Sequence, residues 1–281
     1  VMTSANPGGE PLVTDNDEAR VRLAGIADAF LLHDRQIVVR CDDTVRTEKG
    51  FIRRARGYIP RAVRLGKSGP PVLALGGWFK NTVCVMRDNE AFVSQHVGDL
   101  DTAEGCRFLE ETVEHLLGIL AVQPAAVACD RHPDFHSSRL AQALADEWQV
   151  PLVMVQHHHA HLAAVAAEHH CQGPLLGLAL DGVGLGLDGQ AWGGELLQIE
   201  GAACGRLGHL APLSMPGGDR AAREPWRMAA AVLHHLGRDD EIEKRFSHQA
   251  AAATVRQMLQ QGLRCPPTTS LGRAFDGAAA L

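Results

Sequence analysis

Residues 175–200, LLGLALDGVGLGLDGQAWGGELLQIE, decide the reading of the fold. Leu176-Gly177-Leu178-Ala179-Leu180-Asp181 is a short apolar run of strand character that ends on a carboxylate. Residues 182–189 carry four glycines and read as a turn, and 191–200 form a second strand. The whole stretch is therefore a β-hairpin with a glycine-rich tip. Upstream, 72–75, 82–86 and 91–94 are short β-rich runs, the last two separated by the turn chemistry of Arg87-Asp88-Asn89-Glu90. Helical spacing covers about 102–120, then 125–129 is a strand, 137–148 a helix, 151–155 a strand and 158–169 a helix. The order is βββαβαβα, after which the hairpin at 175 restarts the pattern.

A hairpin-led α/β unit followed by another points to an internal duplication. The expected fold class is α/β, a duplicated mixed-sheet domain of the actin/hexokinase/Hsp70-like kind, spanning 72–281. Residues 61–71 (RAVRLGKSGPP) are basic, rich in Gly and Pro and without periodicity, and are expected to be a linker. The first 60 residues form a separate α/β piece. In it, 1–4 is a strand end and 6–9 a loop. Residues 15–32 form a helix that Asp15 caps, and 37–45 and 51–58 are β-rich.

The 281 residues suffice for a sizeable core, and 46% hydrophobic with 21% charged residues is the composition of a soluble globular protein. Asp and Glu (33) outnumber Lys and Arg (27), so a net charge of −6 gives no help in binding nucleic acid. No apolar run is long enough to cross a bilayer, and residues 1–10 lack the pattern of a secretory signal. The seven cysteines are scattered, odd in number and never in a C-x-x-C pair, which excludes a zinc ribbon and fits a reducing cytoplasm. The start at Val1 and the helix-like run at 278–281 without a stop signal are expected of a piece of a longer polypeptide.

Chemistry concentrates in Gln156-His157-His158-His159-Ala160-His161, where a strand runs into a helix. Residues four apart share a helical face, so His157 and His161 can offer two imidazoles to one metal, zinc or iron(II). Asp181, at the end of the next strand, is the candidate third ligand. Gly182 and Gly184 offer backbone amides to phosphate, though a plain turn is the other reading, and the equivalent turn of the first unit, 76–82, holds Lys80 as a point charge beside Asn81. Gly217, Gly218 and Asp219 precede a helix whose N-terminus suits an anion. Arg54 and Arg56 fall on one face of an expected strand and suit a phosphate or carboxylate.

Several motifs then occur in a fixed order: Thr3-Ser-Ala-Asn-Pro-Gly-Gly-Glu-Pro11, Asp42-Asp-Thr-Val45, Arg53-Arg-Ala-Arg-Gly-Tyr-Ile-Pro60, Lys80-Asn81-Thr82, Ser94-Gln-His-Val-Gly-Asp-Leu100, the histidine run, Asp181-Gly182, Trp192-Gly-Gly-Glu195, Pro216-Gly-Gly-Asp219 and Gly272-Arg-Ala-Phe-Asp276. Together they closely resemble HypF, the carbamoyltransferase family of nickel–iron hydrogenase maturation. The resemblance implies that residues 1–60 are the tail of a YrdC-like domain, which makes carbamoyl-adenylate from carbamoyl phosphate and ATP. Ser4, Asn6, Arg54 and Arg56 match its nucleotide-contacting positions. It implies that 72–281 is a TsaD-like, or Kae-like, domain that binds nucleotide and a divalent metal and passes the carbamoyl group to the C-terminal cysteine of HypE. The product is the precursor of the hydrogenase cyanide ligand. His157, His161 and Asp181 match the family's metal ligands. Gly8 stands where serine is common. The family's N-terminal modules and its C-terminal Ser-Gly-Gly and Asp-Gly segments have no counterpart in these residues, which implies that this stretch does not turn over alone.

Three other readings compete, one of them a degenerate fragment with no activity. A tRNA threonylcarbamoyl transferase shares both module types, but the His-His-His-Ala-His run and the Leu-Asp-Gly strand are the HypF version. A non-enzymatic nucleotide-binding scaffold of the sugar-kinase or chaperone kind would bind nucleotide without metal dependence.

Overall fold

The computed structural model describes residues 4–281. The strand end expected at 1–4 lies, apart from Ser4, outside the described residues. The chain divides into two compact units, Val1–Val155 and Gln156–Leu281. The division falls inside the stretch that the sequence reads as one duplicated domain, and it assigns the helix expected at 158–169, the last element of the first half, to the second unit.

The first unit opens with helix α1 (Asn16–Arg22), capped by Asp15, whose carboxylate accepts from the amides of Asp17 and Glu18 at 2.8 and 2.9 Å. The helix is far shorter than the expected 15–32. No residue of it is buried, and Val21 and Ile26 stay exposed, so its apolar spacing has no surface to pack on. Strands β1 (Val45–Thr47) and β2 (Gly50–Arg53) form a small hairpin. The β character expected through residue 58 stops at Arg53. Gly57, at φ 85, and turn hydrogen bonds from Tyr58 and Ile59 back to Ala55 carry the chain instead.

The main sheet of this unit runs β4-β3-β5-β6, from β3 (Val63–Leu75), β4 (Val83–Val93), β5 (Ala126–Asp130) and β6 (Leu152–Val155). The expected linker at 61–71 is therefore strand from Val63 onward. Val63 and Arg64 pair with Ala91 and Glu90, and register shifts at Gly69 and Val72 bulge the strand around Pro70 and Pro71, which have no N–H to pair. A straight run of β4 would be about 36 Å long. Instead the amide of Ser94 donates to Val83 O at 2.7 Å, so the strand doubles back at Asp88, whose φ is 55. The turn expected at 87–90 is that reversal.

Two helices cover the sheet, α2 (Ala103–Leu120) and α3 (His136–Trp148). The Thr102 side chain caps α2, and Phe108, Leu109, Val113 and Leu116 recur at helical spacing on its buried face. They join Leu73, Leu75, Val83, Val85, Val127, Ala141 and Ala145 in one core. These elements lie within a residue or two of their expected positions.

The second unit begins with α4 (His157–Glu168) and continues as a meander of β7 (Leu175–Leu185), β8 (Ala191–Glu200) and β9 (Ala203–His209), all antiparallel. Strand β7 runs four residues past Asp181, so most of the expected glycine turn is strand, and the reversal lies at 186–190. A register shift between Leu180 and Gly184 marks a bulge beside the aspartate. Glycine lets α4 lie close on β7, because a Cβ on Gly177 would stand 2.5 Å from Leu162. Strand β10 (Leu213–Ser214) pairs with β11 (Pro267–Thr268), which meets β8 in parallel at Ala191. Between them lie α5 (Asp219–Arg223), α6 (Pro225–His235), α7 (Ile242–Arg245) and α8 (Ala252–Gln261), and α9 (Leu271–Ala279) follows. Met228, Ala229, Leu233, Ile242, Val255 and Leu259 form the core of this helical part. Helix α9 lies against α6, where Gly277 leaves room for Val232.

Candidate metal site

The Gln156 side chain caps α4 by accepting from the His159 amide at 2.8 Å, which starts the helix at His157. His157 and His161 then stand one turn apart with ring centroids 4.8 Å from each other and Nε2 atoms at 3.2 Å. Asp181 reaches them from β7. Its Oδ2 lies 3.1 Å from His157 Nε2 and 3.6 Å from His161 Nε2. One ligand atom from each of the three residues falls within 4.8 Å of the others. Two imidazoles and a carboxylate at this spacing are the donor set of a zinc or iron(II) site that keeps an open position. The three donor atoms lie close enough together to share such an ion.

Burial opposes ionisation of Asp181 more than any other single effect. Hydrogen bonds from His157, His161 and the Gly182 amide (2.6 Å to Oδ1) together outweigh it and hold the carboxyl well below the usual range. The carboxylate is therefore ionised and ready for a cation. His158, fully buried between the ligand histidines in sequence, is pushed down to about 4, by burial first and by neighbouring His157 second.

Strand β8 supports the site from behind. Glu195 is fully buried, and its carboxylate accepts from Arg206 Nε at 2.6 Å, from the amides of Gly193 and Gly194 at 3.1 and 3.2 Å, and from the Thr269 hydroxyl. Burial raises its pKa, but the Thr269, Arg206 and amide donors win and the carboxyl is lowered. The Arg206 guanidinium lies 4.0 Å over the Trp192 ring, and Trp192 Nε1 donates to Asp188 at 2.9 Å. Ser270 Oγ donates to Gly182 O at 2.5 Å and so ties the start of α9 to the strand that carries Asp181. The two glycines before Glu195 are required here: a Cβ on Gly193 would stand 2.7 Å from Asp181 O, and one on Gly194 2.5 Å from Thr269 O. Sequence reasoning did not assign Glu195, Arg206 or Ser270. The signal for Glu195 was its acid group amid the apolar residues of 191–200.

The residues expected to bind nucleotide fare differently. Gly184 packs against the histidines, since a Cβ there would meet His157 at 2.5 Å and His158 at 2.7 Å; its lack of a side chain makes room for imidazoles. Gly217 and Gly218 take positive φ, but their amides already donate to Arg264 O (2.8 Å) and Met215 O (2.9 Å). Asp219 opens a helix of only five residues. The anion-binding helix start expected there is thus a closed turn.

In the first unit, Arg54 and Arg56 do not share a strand face. Arg54 donates to the carbonyls of Tyr58 (2.8 Å) and Arg61, and Arg56 to that of Cys41 (2.8 Å). Ser4 bonds Asn6 Oδ1 at 2.5 Å, and Asn6 donates to Pro7 O and Glu10 O. Lys80 sits at φ 50 with its amide on Asp99 (2.8 Å), and Asn81 is buried and donates to Gly77 O at 2.7 Å. Burial raises the thiols of Cys84, to about 11, and of Cys129, Cys204 and Cys265, the opposite of what a nucleophilic thiolate requires.

Comparison with known proteins agrees with the motif reading. A family model described as the HypF Kae1-like domain matches residues 67–168, and one described as the second subdomain of the carbamoyltransferase Kae1-like domain matches 177–281. Carbamoyltransferase HypF2 of Cupriavidus necator is 65% identical over the whole chain. The chain belongs to the HypF family. The HypF of Rhizobium leguminosarum bv. viciae is 52% identical, again over the full chain. These two relatives are much longer: the chain spans 36% and 37% of their lengths. A third family model, described as telomere recombination and covering Sua5, YciO and YrdC, matches residues 1–55. Among solved structures, full-length HypF in its phosphate- and nucleotide-bound form superposes with a TM-score of 0.89 at 36% identity, over 99% of this chain and 44% of that one. The T. kodakarensis HypF superposes at 0.90 with 34% identity, over 99% of this chain and 39% of that one. The fold is thus the Kae-like α/β architecture of HypF with a YrdC-like segment before it. Among the described residues, no helix is long and apolar enough to cross a membrane.

Proposed function

We propose that this chain is the transfer part of an ATP-dependent carbamoyltransferase. The single observation that carries the reading is the His157–His161–Asp181 constellation, with three ligand atoms converging in a chain of the HypF family. In this reading the YrdC-like segment belongs to the part that forms carbamoyl-adenylate from carbamoyl phosphate and ATP. The Kae-like units bind nucleotide and a divalent metal, zinc or iron, and hand the carbamoyl group to the C-terminal cysteine of HypE in the cytoplasm.

The residues present fit that chemistry. His157, His161 and Asp181 would hold the ion, which when bound supplies positive charge against nucleotide phosphate. Asp181 stays ionised through its hydrogen bonds, and Ser270 fixes the adjoining backbone. The raised thiols of this chain agree with a nucleophile that comes from a partner. Lys80 keeps its assignment as a phosphate contact in this reading, whereas the bonded amides of Gly182, Gly217 and Gly218 do not support one.

The test is elemental analysis of the chain and of His157→Ala/His161→Ala, with ATP binding measured by calorimetry. Near-stoichiometric zinc or iron in the wild type, lost in the double variant together with ATP affinity, is the expected outcome. A metal-free wild type whose ATP binding ignores both substitutions would sink the reading. Transfer itself is then assayed in a full-length HypF carrying the same substitutions, with a HypE tail as acceptor.

A further inference from the structure

The middle histidine of the run, His158, is not one of the three converging ligands, yet it is the most buried of them all, with no exposed surface. Its Nε2 lies 3.8 Å from Asp181 Oδ2, too far for a hydrogen bond, and is a buried nitrogen without a hydrogen-bond partner among the described residues. Its Nδ1 lies 3.1 Å from Gln156 Nε2.

The orientation of the Gln156 amide decides the tautomer. Its Oε1 faces the His159 amide at 2.8 Å, which is only a donor, and its Nε2 faces Leu185 O at 3.1 Å, which is only an acceptor. The flipped amide would set donor against donor and acceptor against acceptor. Gln156 Nε2 therefore directs its second N–H at His158 Nδ1, which must accept. The ring proton is then on Nε2, and it points toward Asp181.

We infer that His158 is a positioning residue: Gln156 holds it as the Nε2–H tautomer, and it donates to the Asp181 carboxylate once the site is filled. The inference rests on the metal reading for its second half. In the structure as it stands, His157 Nε2 is within hydrogen-bond distance of Asp181 Oδ2 at 3.1 Å. A metal on His157 and His161 takes the lone pairs of both Nε2 atoms, so neither can donate any longer. His158 Nε2–H is then the donor left facing that oxygen, and its buried proton gains the partner it lacks. The same logic explains why the second of the adjacent histidines is no ligand: its Nε2 lone pair is occupied by the proton. Gly184 is what allows this packing, because a side chain there would strike both rings. The Trp192 ring is a further neighbour of His158, with centroids 6.1 Å apart.

The test begins on the metal-free chain labelled with nitrogen-15 at histidine. Long-range proton–nitrogen correlation spectra distinguish the two tautomers, and the His158 signals are assigned by their loss in His158→Gln. Nε2–H in the wild type, switching to Nδ1–H in Gln156→Glu, is expected, because a carboxylate at 156 accepts where the amide donated. Nδ1–H or a doubly protonated ring in the wild type would overturn the inference, whatever the chain does with metal. Zinc titration follows. His158→Leu, which fills the space without a donor, should weaken zinc roughly 10–100-fold, while His158→Gln, which restores an N–H, should recover part of the loss. Wild-type zinc affinity in a folded His158→Leu, or a larger loss in Gln than in Leu, assigns His158 a packing role and overturns the proposal. A wild type that binds no zinc defeats the metal reading instead, and the tautomer measurement still decides the arrangement of Gln156 and His158.

Discussion

The turn after β3 in the first unit and the bulged strand β7 in the second dispose of their polar groups in opposite ways. At the end of β3, Asn81 donates to Gly77 O, the amide of Lys80 donates to Asp99, and Trp78 Nε1 to Asp101. Apart from Asn81 Oδ1, a buried acceptor without a partner among the described residues, these groups pair one to one, within the turn and with the carboxylates of the segment that follows β4. In β7, Asp181 meets side chains that arrive from another element, the imidazoles of His157 and His161, whose nitrogens can face a shared point. The difference teaches how a repeated scaffold divides its labour. Donors matched one to one with acceptors fix a shape, whereas imidazoles and a carboxylate that converge from two elements leave lone pairs that a cation can use.

Four measurements would break or sharpen that contrast. The largest effect is expected behind β7. Arg206→Ala leaves the buried Glu195 carboxylate without its cation and should cost about 3–5 kcal/mol in urea unfolding. A loss under about 1 kcal/mol would show that Thr269 and the two glycine amides suffice. Next, Leu109→Ala opens a cavity in the first core and should cost about 3 kcal/mol, yet leave zinc binding unchanged in the folded chain. Loss of zinc affinity there would mean that the metal site is not a property of the second unit alone. Third, zinc at a hundred times its Kd should raise stability by about 2.7 kcal/mol, and His157→Ala should remove that gain. Equal stabilisation of both proteins by zinc would place the binding elsewhere. The smallest effect belongs to Asp15→Ala. Loss of this cap costs a helix about 1 kcal/mol, but α1 buries nothing, so hydrogen exchange in α1 should rise with no change in the global midpoint.

Local chemistry explains which parts of this molecule could be read in advance. Thr102 at the start of α2, the spacing of Phe108, Leu109, Val113 and Leu116, and the i, i+4 pair His157 and His161 each depend on neighbours a turn away. The reversal at Asp88 is likewise a short-range signal. Composition misled where the partner was distant. Residues 61–71 carry the Gly and Pro of a linker, but Val63 and Arg64 find Ala91 and Glu90 far along the chain. Arg54 and Arg56 have the types of a phosphate site, and nearby carbonyls claim both guanidiniums instead. Gly184 has the residue type of a phosphate loop, and its missing side chain serves two imidazoles on a helix packed over it.

By itself the sequence determined that this chain is a hairpin-led, duplicated α/β protein, and that two histidines share a helical face, with a strand that carries Asp181 next along the chain. Periodicity, capping and turn chemistry act over a few residues, so they are present in the order of the letters. Only the tertiary structure decided what those groups do. It turned Gln156 so that His158 has one available proton, buried Glu195 against Arg206 and Thr269, and left Gly217 and Gly218 without a free amide. Each of those outcomes depends on which donor meets which acceptor across segments that the chain brings together only when it folds, and hydrogen-bond matching at that range has no signature in residue spacing.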